Sequence, residues 1–557
     1  MTTENKKKYL TEVLLVIAIL AGGFFIRFVD LTGFPPGLYP DEAMNLSDGL
    51  KAAEAGTWPM FFENNNGREG LYMDIIGYLL HWFGPQLWIV RFLPALIGAL
   101  TLPAVYWLGR RLTNRFGALI ALALMTFSYW HLNFSRIGFR AILMVGILSW
   151  AFAFLIEGFW RLLKKPKNNS GWQLFFILGG LFLGLSLHTY IAVRIVPAVL
   201  LVLWFLAFFF FTSQRKNIAF GLLITGIFAF LTASPLLYDF YHHPDHFTGR
   251  ASNVSVLKSP HVLTDLSKSL GLTFLSFLFY GDQNWRHNYP YLPLLMPFWG
   301  IFLLAGFGWG ILILLGKIWQ KIRHWKTPTN FEKIWPILAW GFLIAWWFCL
   351  LAPSFLTNEG LPHALRSIGA LPATFLLVGF LLDRWFKSPK IRKIIVVLVI
   401  FNSLFNVYAY FFLWGRSPDA FGAFEYRLSA IGAYLRETIP QNSQTHFYLI
   451  TNSDAYHTDD NLPVMVEPIR FYTWEVRNQL KFIVPEDFQV AMIQKPAIIA
   501  FVQKDQDITE QIKKTYPQAK EMTVSLDENN PAILASPESF LHSPYAPEAS
   551  LEIWEVK

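Results

Sequence analysis

Runs of about 18 to 22 apolar residues, separated by short polar segments, recur from near the start of the chain to residue 414, and each matches the length a helix needs to cross a hydrocarbon core of roughly 30 Å. The pattern predicts eleven spans, give or take one or two, at 10–29, 86–108, 117–134, 141–162, 171–190, 195–212, 217–236, 291–315, 334–352, 368–384 and 393–414. Two apolar segments, "LYMDIIGYLLHWFG" (71–84) and "LTFLSFLFYG" (272–281), are too short or too amphipathic to span and are expected in the interface or re-entering. The first run follows "NKKKYL"; it is too long for a signal core and lacks a small-residue cleavage pattern, so it reads as an anchor. After 414 the pattern changes. "AFEYRLSAIGAYLRETI" has helical periodicity, whereas "THFYLIT", "PAIIAFV" and "LEIWEV" read as strands. The expected fold class is mainly α, a polytopic membrane domain at 1–414, followed by a small soluble α/β domain at 415–557.

Composition agrees with that division. The 557 residues are 54% hydrophobic and only 15% charged, which is membrane-protein usage. Cys349 is the single cysteine, which excludes an intrachain disulfide, and in its apolar run it reads as a small buried hydrophobe. The tail from 415 carries net −8 against +8 for the whole chain, so the membrane portion carries +16. With the N-terminus inside, Lys and Arg gather in the inner loops "GRRLTNR", "RLLKKPKNN", "QRKN", "KIWQKIRHWK" and "RWFKSPKIRK". The positive-inside bias explains the basic balance without nucleic acid. The expected location is the cell membrane, with the tail on the outer side.

Sidedness also sorts the polar chemistry, because "YPDEAMN", "NNNGREG", "SRIGFR", "HTYIAVR", "YHHPDHFTGR", "GDQNWRHN" and "NEGLPHALR" all fall outside. Mixed acids, histidines and arginines beside apolar spans are costly unless paired or used. Arg136, Arg140, Arg194 and Arg366 stand at outer ends of spans, where a guanidinium can clamp a lipid phosphate through two parallel charge-assisted hydrogen bonds or simply snorkel to the headgroups. If a sugar leaves such a phosphate, an acceptor hydroxyl must lose its proton, a task for Asp41 or Glu42 of the "PDE" stretch. Tyr190, His188, Asp282, Asn284, His287 and His363 are the remaining substrate-binding candidates. "YHHPDHF" holds metal-ligand residue types without zinc-finger spacing, so hydrogen-bonding loop histidines are the ordinary alternative and a divalent metal stays a candidate cofactor. No nucleotide-binding glycine motif occurs.

The succession "YPDEAMNLSDGLKAAEAGTWPMFF", "NNNGREGLYMDIIGYLLHWFG", "RFLPALIGALTLPAVYWLGRRL", "HLNFSRIGFRAIL", "GDQNWRHNYPYLP" and "EGLPHALRSIGALP" resembles the membrane-embedded glycosyltransferases of family 39, which include protein O-mannosyltransferases and lipid A aminoarabinose transferases and have the GT-C fold. The likeness covers most of residues 1–400 and is nearest to bacterial members. It implies a sugar donor on polyprenyl phosphate, an inverting transfer at the outer face, and a glycan, lipid or protein acceptor. Asp41 becomes the implied base and Glu42 its partner. The second acidic segment of such enzymes maps onto "GREG", which makes Glu69 the next candidate and Arg68 an anion contact. Two other classes share part of this pattern: a flippase or transporter for lipid-linked sugar, which would place ionisable groups at mid-membrane and show repeats, and a ligase using a diphosphate-linked oligosaccharide.

Overall fold

The computed structural model describes residues 3–164, 171–253, 255–324, 330–357, 359–452, 458, 462–503, 505–522 and 553–557. The chain divides into two compact units, one of residues 1–29, 94–135 and 140–410, the other of 30–93, 136–139 and 411–557. The second unit thus gathers the tail with the first polar loop.

The first unit is mainly helical among the described residues. Among the described residues of the chain, nine helices are long and apolar enough to cross a membrane, from Thr3–Phe28 through Pro389–Trp414. Two shorter apolar helices, Arg115–Thr126 and Trp172–Ser186, occupy the other two expected positions. The expected span at 117–134 is broken: a helix of 12 residues ends at Thr126 and a second, Tyr129–Phe134, follows. At 1.5 Å per residue the first piece reaches only about 18 Å. The 272–281 segment forms no span; a helix ends at Leu275 and irregular backbone follows. The protein is a multi-pass membrane protein.

Helix contact in this unit relies on small residues. Trp172–Ser186 carries Gly180 and Gly184, and a Cβ at Gly180 would lie 2.6 Å from the Thr225 carbonyl oxygen, one at Gly184 2.1 Å from that of Ala229. Backbones approach this closely only where side chains are missing, which substitutes dispersion for the absent hydrophobic drive in lipid. One buried carboxylate in the unit is doubly paired. Glu157, with no exposed surface, accepts from Arg161 Nε at 2.7 Å and Arg111 Nη2 at 3.0 Å.

In the second unit, α1 (Pro40–Ala55) is followed by a short hairpin, β1 (Phe61–Phe62) and β2 (Arg68–Glu69), and by α2 (Leu71–Phe83). α2 has 13 residues, about 20 Å, and does not cross a membrane. It packs on α1 at a glycine pair: a Cβ on Gly77 would sit 2.5 Å from the Gly49 carbonyl oxygen. The tail adds α3 (Tyr426–Gln441), β3 (His446–Ile450), β4 (Leu480–Ile483), β5 (Ala497–Phe501), β6 (Lys520–Met522) and β7 (Ile553–Val556).

These strands form one sheet in the order β4-β3-β5-β7-β6. β3 runs parallel to β4 and β5, with Tyr448 opposite Ile499, and β7 is antiparallel to β5 and β6. Alternate residues point to opposite faces, so Phe447, Leu449, Ile498 and Ala500 meet Leu428, Ile431 and Leu435 of α3. Tyr448, Ile450, Ile499 and Phe501 meet Ile508 and Ile512 of the Gln506–Thr515 helix on the other face. The expected helix and the three expected strands all form, except that residues 551 and 552 of "LEIWEV" lie outside the described residues.

Candidate active site

The second unit holds both acids of the opening polar loop, and it treats them differently. Pro40 occupies the first helical position of α1, where its missing N–H and fixed φ cost nothing. Glu42, two residues on, has no exposed surface. Its carboxylate accepts from the Tyr39 N–H at 3.1 Å, closing the helix start, and from the Gly138 N–H at 2.7 Å. Arg91 Nη2 lies 3.7 Å away and is itself buried. Burial pushes the Glu42 carboxyl up, while Arg91 and the two backbone N–H groups pull it down. Arg91 also donates to the carbonyls of Pro35 and Gly37, so the pair fixes the loop leading into α1.

Asp41 faces elsewhere. It is half-buried, makes no ion pair among the described residues, and accepts one hydrogen bond from Asn65 Nδ2 at 2.8 Å through Oδ1. Asn65 stands at the hairpin tip, where Asn65, Asn66 and Gly67 all have positive φ (49°, 62° and 78°). Asn and Gly are the residues that tolerate this left-handed region. Oδ2 of Asp41 has no hydrogen-bond partner among the described residues.

Below Asp41 on the same helix face, at i+4 and i+7, lie Asn45 and Asp48. Arg68 ties them together: Nη1 donates to Asn45 Oδ1 at 2.8 Å, and Nη2 meets Asp48 and Asn64. Asn45 in turn donates to the Gly138 carbonyl at 2.9 Å. Arg68 is thus neutralised by Asp48 and holds the hairpin to α1. Glu69 is 2% exposed and pairs in register with Phe61. Arg136, buried, donates to the carbonyls of Asp30 (2.9 Å) and Phe34 (3.0 Å) and lies over the Phe34 and Phe411 rings. The tail grips both ends of α1: the Leu38 N–H donates to Ser429 Oγ at 2.8 Å, and Glu54 accepts from Trp474 Nε1 at 3.0 Å and Arg477 at 3.2 Å.

A further acid in this unit, Asp74 of α2, was not singled out from the sequence. Its Oδ1 is buried with no hydrogen-bond partner among the described residues. Burial pushes its carboxyl from 3.8 to about 7. The folded chain therefore binds more protons than the unfolded one between those values, and stability falls as pH rises through that window. Asp74→Asn is expected to raise the melting temperature of the purified protein at pH 8 and to leave it nearly unchanged at pH 4; an equal shift at both would show that ionisation is not the cost.

The first unit holds the other predicted residues. Asp282, 3% exposed, accepts from the backbone N–H of Asn284 (2.8 Å) and Ala364 (2.8 Å), with His287 Nδ1 at 3.1 Å and His363 Nδ1 at 3.9 Å. The two imidazoles stack at 4.8 Å. Asp282, Asn284, His287 and His363 line one pocket of about 130 Å³. Arg366 donates to Thr357 Oγ1 (2.6 Å) and the Glu359 carbonyl (3.1 Å). Arg140 lies over the Tyr190 ring at 5.5 Å. Arg194 donates to the carbonyls of Phe247 and His246, and His188 Nε2 meets the Thr232 carbonyl at 2.9 Å.

Asn65 and Arg91 are the partners of the acid pair that the sequence did not single out. Arg91 carried a signal, as a lone cation inside an apolar run. Asn65 carried none beyond the "NNNG" turn.

Residues 76–248 match the family model described as dolichyl-phosphate-mannose-protein mannosyltransferase. No curated protein sequence matches the chain. Among solved structures the chain is similar to ArnT from Cupriavidus metallidurans in the apo state, at 13% identity and a TM-score of 0.53, over 91% of this chain and 95% of that one. ArnT bound to undecaprenyl phosphate gives 15% identity and 0.51, over 90% and 94%. The apo oligosaccharyltransferase of Archaeoglobus fulgidus gives 12% and 0.50, over 85% of this chain and only 65% of that one. The chain thus spans nearly all of ArnT and about two thirds of the oligosaccharyltransferase, and identities this low speak for fold. With its apolar helices, the chain has the GT-C fold that ArnT shows, and its residues 76–248 are similar to the protein mannosyltransferases.

Proposed function

We propose that the protein transfers a monosaccharide from a polyprenyl-phosphate carrier to an extracytoplasmic acceptor, with Asp41 as general base. The observation that carries the assignment is the division of labour within the acid pair: Glu42 is buried and spent on the helix start and Arg91, while Asp41 is accessible, oriented by Asn65 and keeps one oxygen open. In the step itself, the acceptor hydroxyl gives its proton to Asp41 Oδ2 as its oxygen forms a bond to the anomeric carbon. The bond from that carbon to the phosphate oxygen breaks, and the electron pair leaves with the phosphate. A phosphate leaves as a stable anion, so one base plus cationic stabilisation is sufficient.

Binding of undecaprenyl phosphate by ArnT supports the same carrier class here. Arg68, neutralised by Asp48, is not assigned to the phosphate. The sidedness of Lys and Arg supports a plasma-membrane protein with a cytoplasmic N-terminus and an outward-facing Asp41. The test is acceptor-dependent release of polyprenyl phosphate by the purified protein, offered a panel of polyprenyl-phosphate sugars and acceptor glycans, lipids and peptides. Turnover with one donor is the expected result. Movement of sugar-lipid across vesicles without release, or turnover only with diphosphate-linked oligosaccharide, would replace the proposal by a flippase or a ligase.

A further inference from the structure

The histidine-rich segment "DFYHHPDHF" takes no part in the proposed transfer, yet its side chains converge. Asp239 and His243 are four residues apart at the end of the Arg215–His242 helix, and His246 stands in the first turn of the Pro244–Asn253 helix. Pro244 forces the break between the two helices and so turns His246 back toward Asp239. His246 Nδ1 lies 2.8 Å from one oxygen of Asp239, and His243 Nδ1 lies 3.4 Å from the other. The two imidazoles stack at 4.9 Å with 28° between their planes. The three ligand atoms all lie within 4.8 Å of one another.

From this convergence we propose that Asp239, His243 and His246 form a binding site for a divalent transition-metal cation of the Zn²⁺ class. Two imidazoles and a carboxylate match the ligand preference of that class, and ligand atoms within 4.8 Å of one another need only small side-chain adjustments to make bonds of about 2.0 to 2.2 Å to a shared ion. Each imidazole ligates through Nδ1 with its proton held on Nε2, so binding releases a proton only from a histidine that was charged. Three protein ligands leave a position open to water, and His243 is 58% exposed, which gives an entry path. Arg194 donates to the backbone carbonyls of Phe247 and His246, steadying the corner from its backbone side.

The second such cluster, Asp282, His287 and His363, suits a cation less well. Its carboxylate is already taken by two backbone N–H groups, and the charges of Arg286 and Arg366 bear on His363. The bound ion at Asp239 clips the two helices together at the end of a span.

The test uses full-length protein in detergent, purified without a polyhistidine tag and stripped with chelator, then titrated with Zn²⁺ and counted by elemental analysis after gel filtration. The expected result is one equivalent bound by the wild type, with a melting temperature raised by several degrees. His243→Gln with His246→Gln should weaken binding at least tenfold and abolish that rise, while melting like the wild type in chelator. His287→Gln should leave binding intact. No tightly bound zinc in the wild type, undiminished binding by the double variant, or loss of the equivalent in His287→Gln would each overturn the proposal. Should the double variant melt early in chelator, Asp239→Asn is measured in its place and is expected to give the same loss.

Discussion

Asp41→Asn is expected to lower glycosyl transfer by about a thousandfold, within the range of roughly 10² to 10⁴ for loss of a positioned general base. The amide keeps the size of the side chain and can still hydrogen-bond Asn65, but its remaining group cannot take a proton. Because Asp41 is half-buried and makes no ion pair among the described residues, the fold should survive. Melting temperature and affinity for a polyprenyl-phosphate analogue are therefore expected to match the wild type. A variant that binds donor and transfers at the full rate would remove Asp41 from the chemistry. Asn65→Ala should share part of the defect, since it frees Asp41 to rotate without altering its charge.

The second large effect concerns stability. Arg91→Ala leaves the Glu42 carboxylate buried with only its two N–H donors, and strips the Pro35 and Gly37 carbonyls of their cation. Breaking one side of a buried pair costs about 3–5 kcal/mol. Burial already pushes the Glu42 carboxyl up, and without Arg91 it rises further. Such a group binds its proton more tightly when folded than when unfolded, so the damage should grow as pH rises above about 4.5 and be milder at pH 5 than at pH 8. Combining Arg91→Met with Glu42→Gln removes both charges and is expected to recover most of the loss in thermal melts. Equal melting of Arg91→Ala and the wild type would mean that Glu42 is not held as an anion.

Much of the architecture could be read from the chain because a membrane imposes length and polarity on every span. Where that constraint weakens, reading failed. At 117–134 the helix ends at Thr126 and restarts at Tyr129, a break marked in the sequence only by Ser128, His131 and Asn133, which a window averaged over the whole run conceals. The 71–84 segment, too amphipathic to span, forms α2. The tail's strands were legible as short, nearly continuous apolar runs, since the sheet buries both faces between helices. Its grouping with the first loop was not, because contacts such as Leu38 to Ser429 join residues nearly four hundred positions apart.

The acid pair shows the same limit at finer scale. Residue type marks Asp41 and Glu42 alike and the family resemblance alone ranks them; the fold gives them different surroundings, by putting Glu42 against Gly138 and Arg91 and Asp41 toward Asn65. Arg68 likewise stands in a polar outer loop as an anion contact would, but Asp48, seven residues beyond Asp41 on the same helix, neutralises it. Charges that look available in one dimension are frequently partners in three.

The most direct test of the account is the stereochemistry of a single turnover. A polyprenyl-phosphate sugar of defined anomeric configuration, found active in the donor panel, is transferred by the purified protein, and the product anomer is read by NMR. Deprotonation of the acceptor by Asp41 in one displacement predicts complete inversion, with equimolar polyprenyl phosphate released. A product with the donor's configuration retained would contradict it.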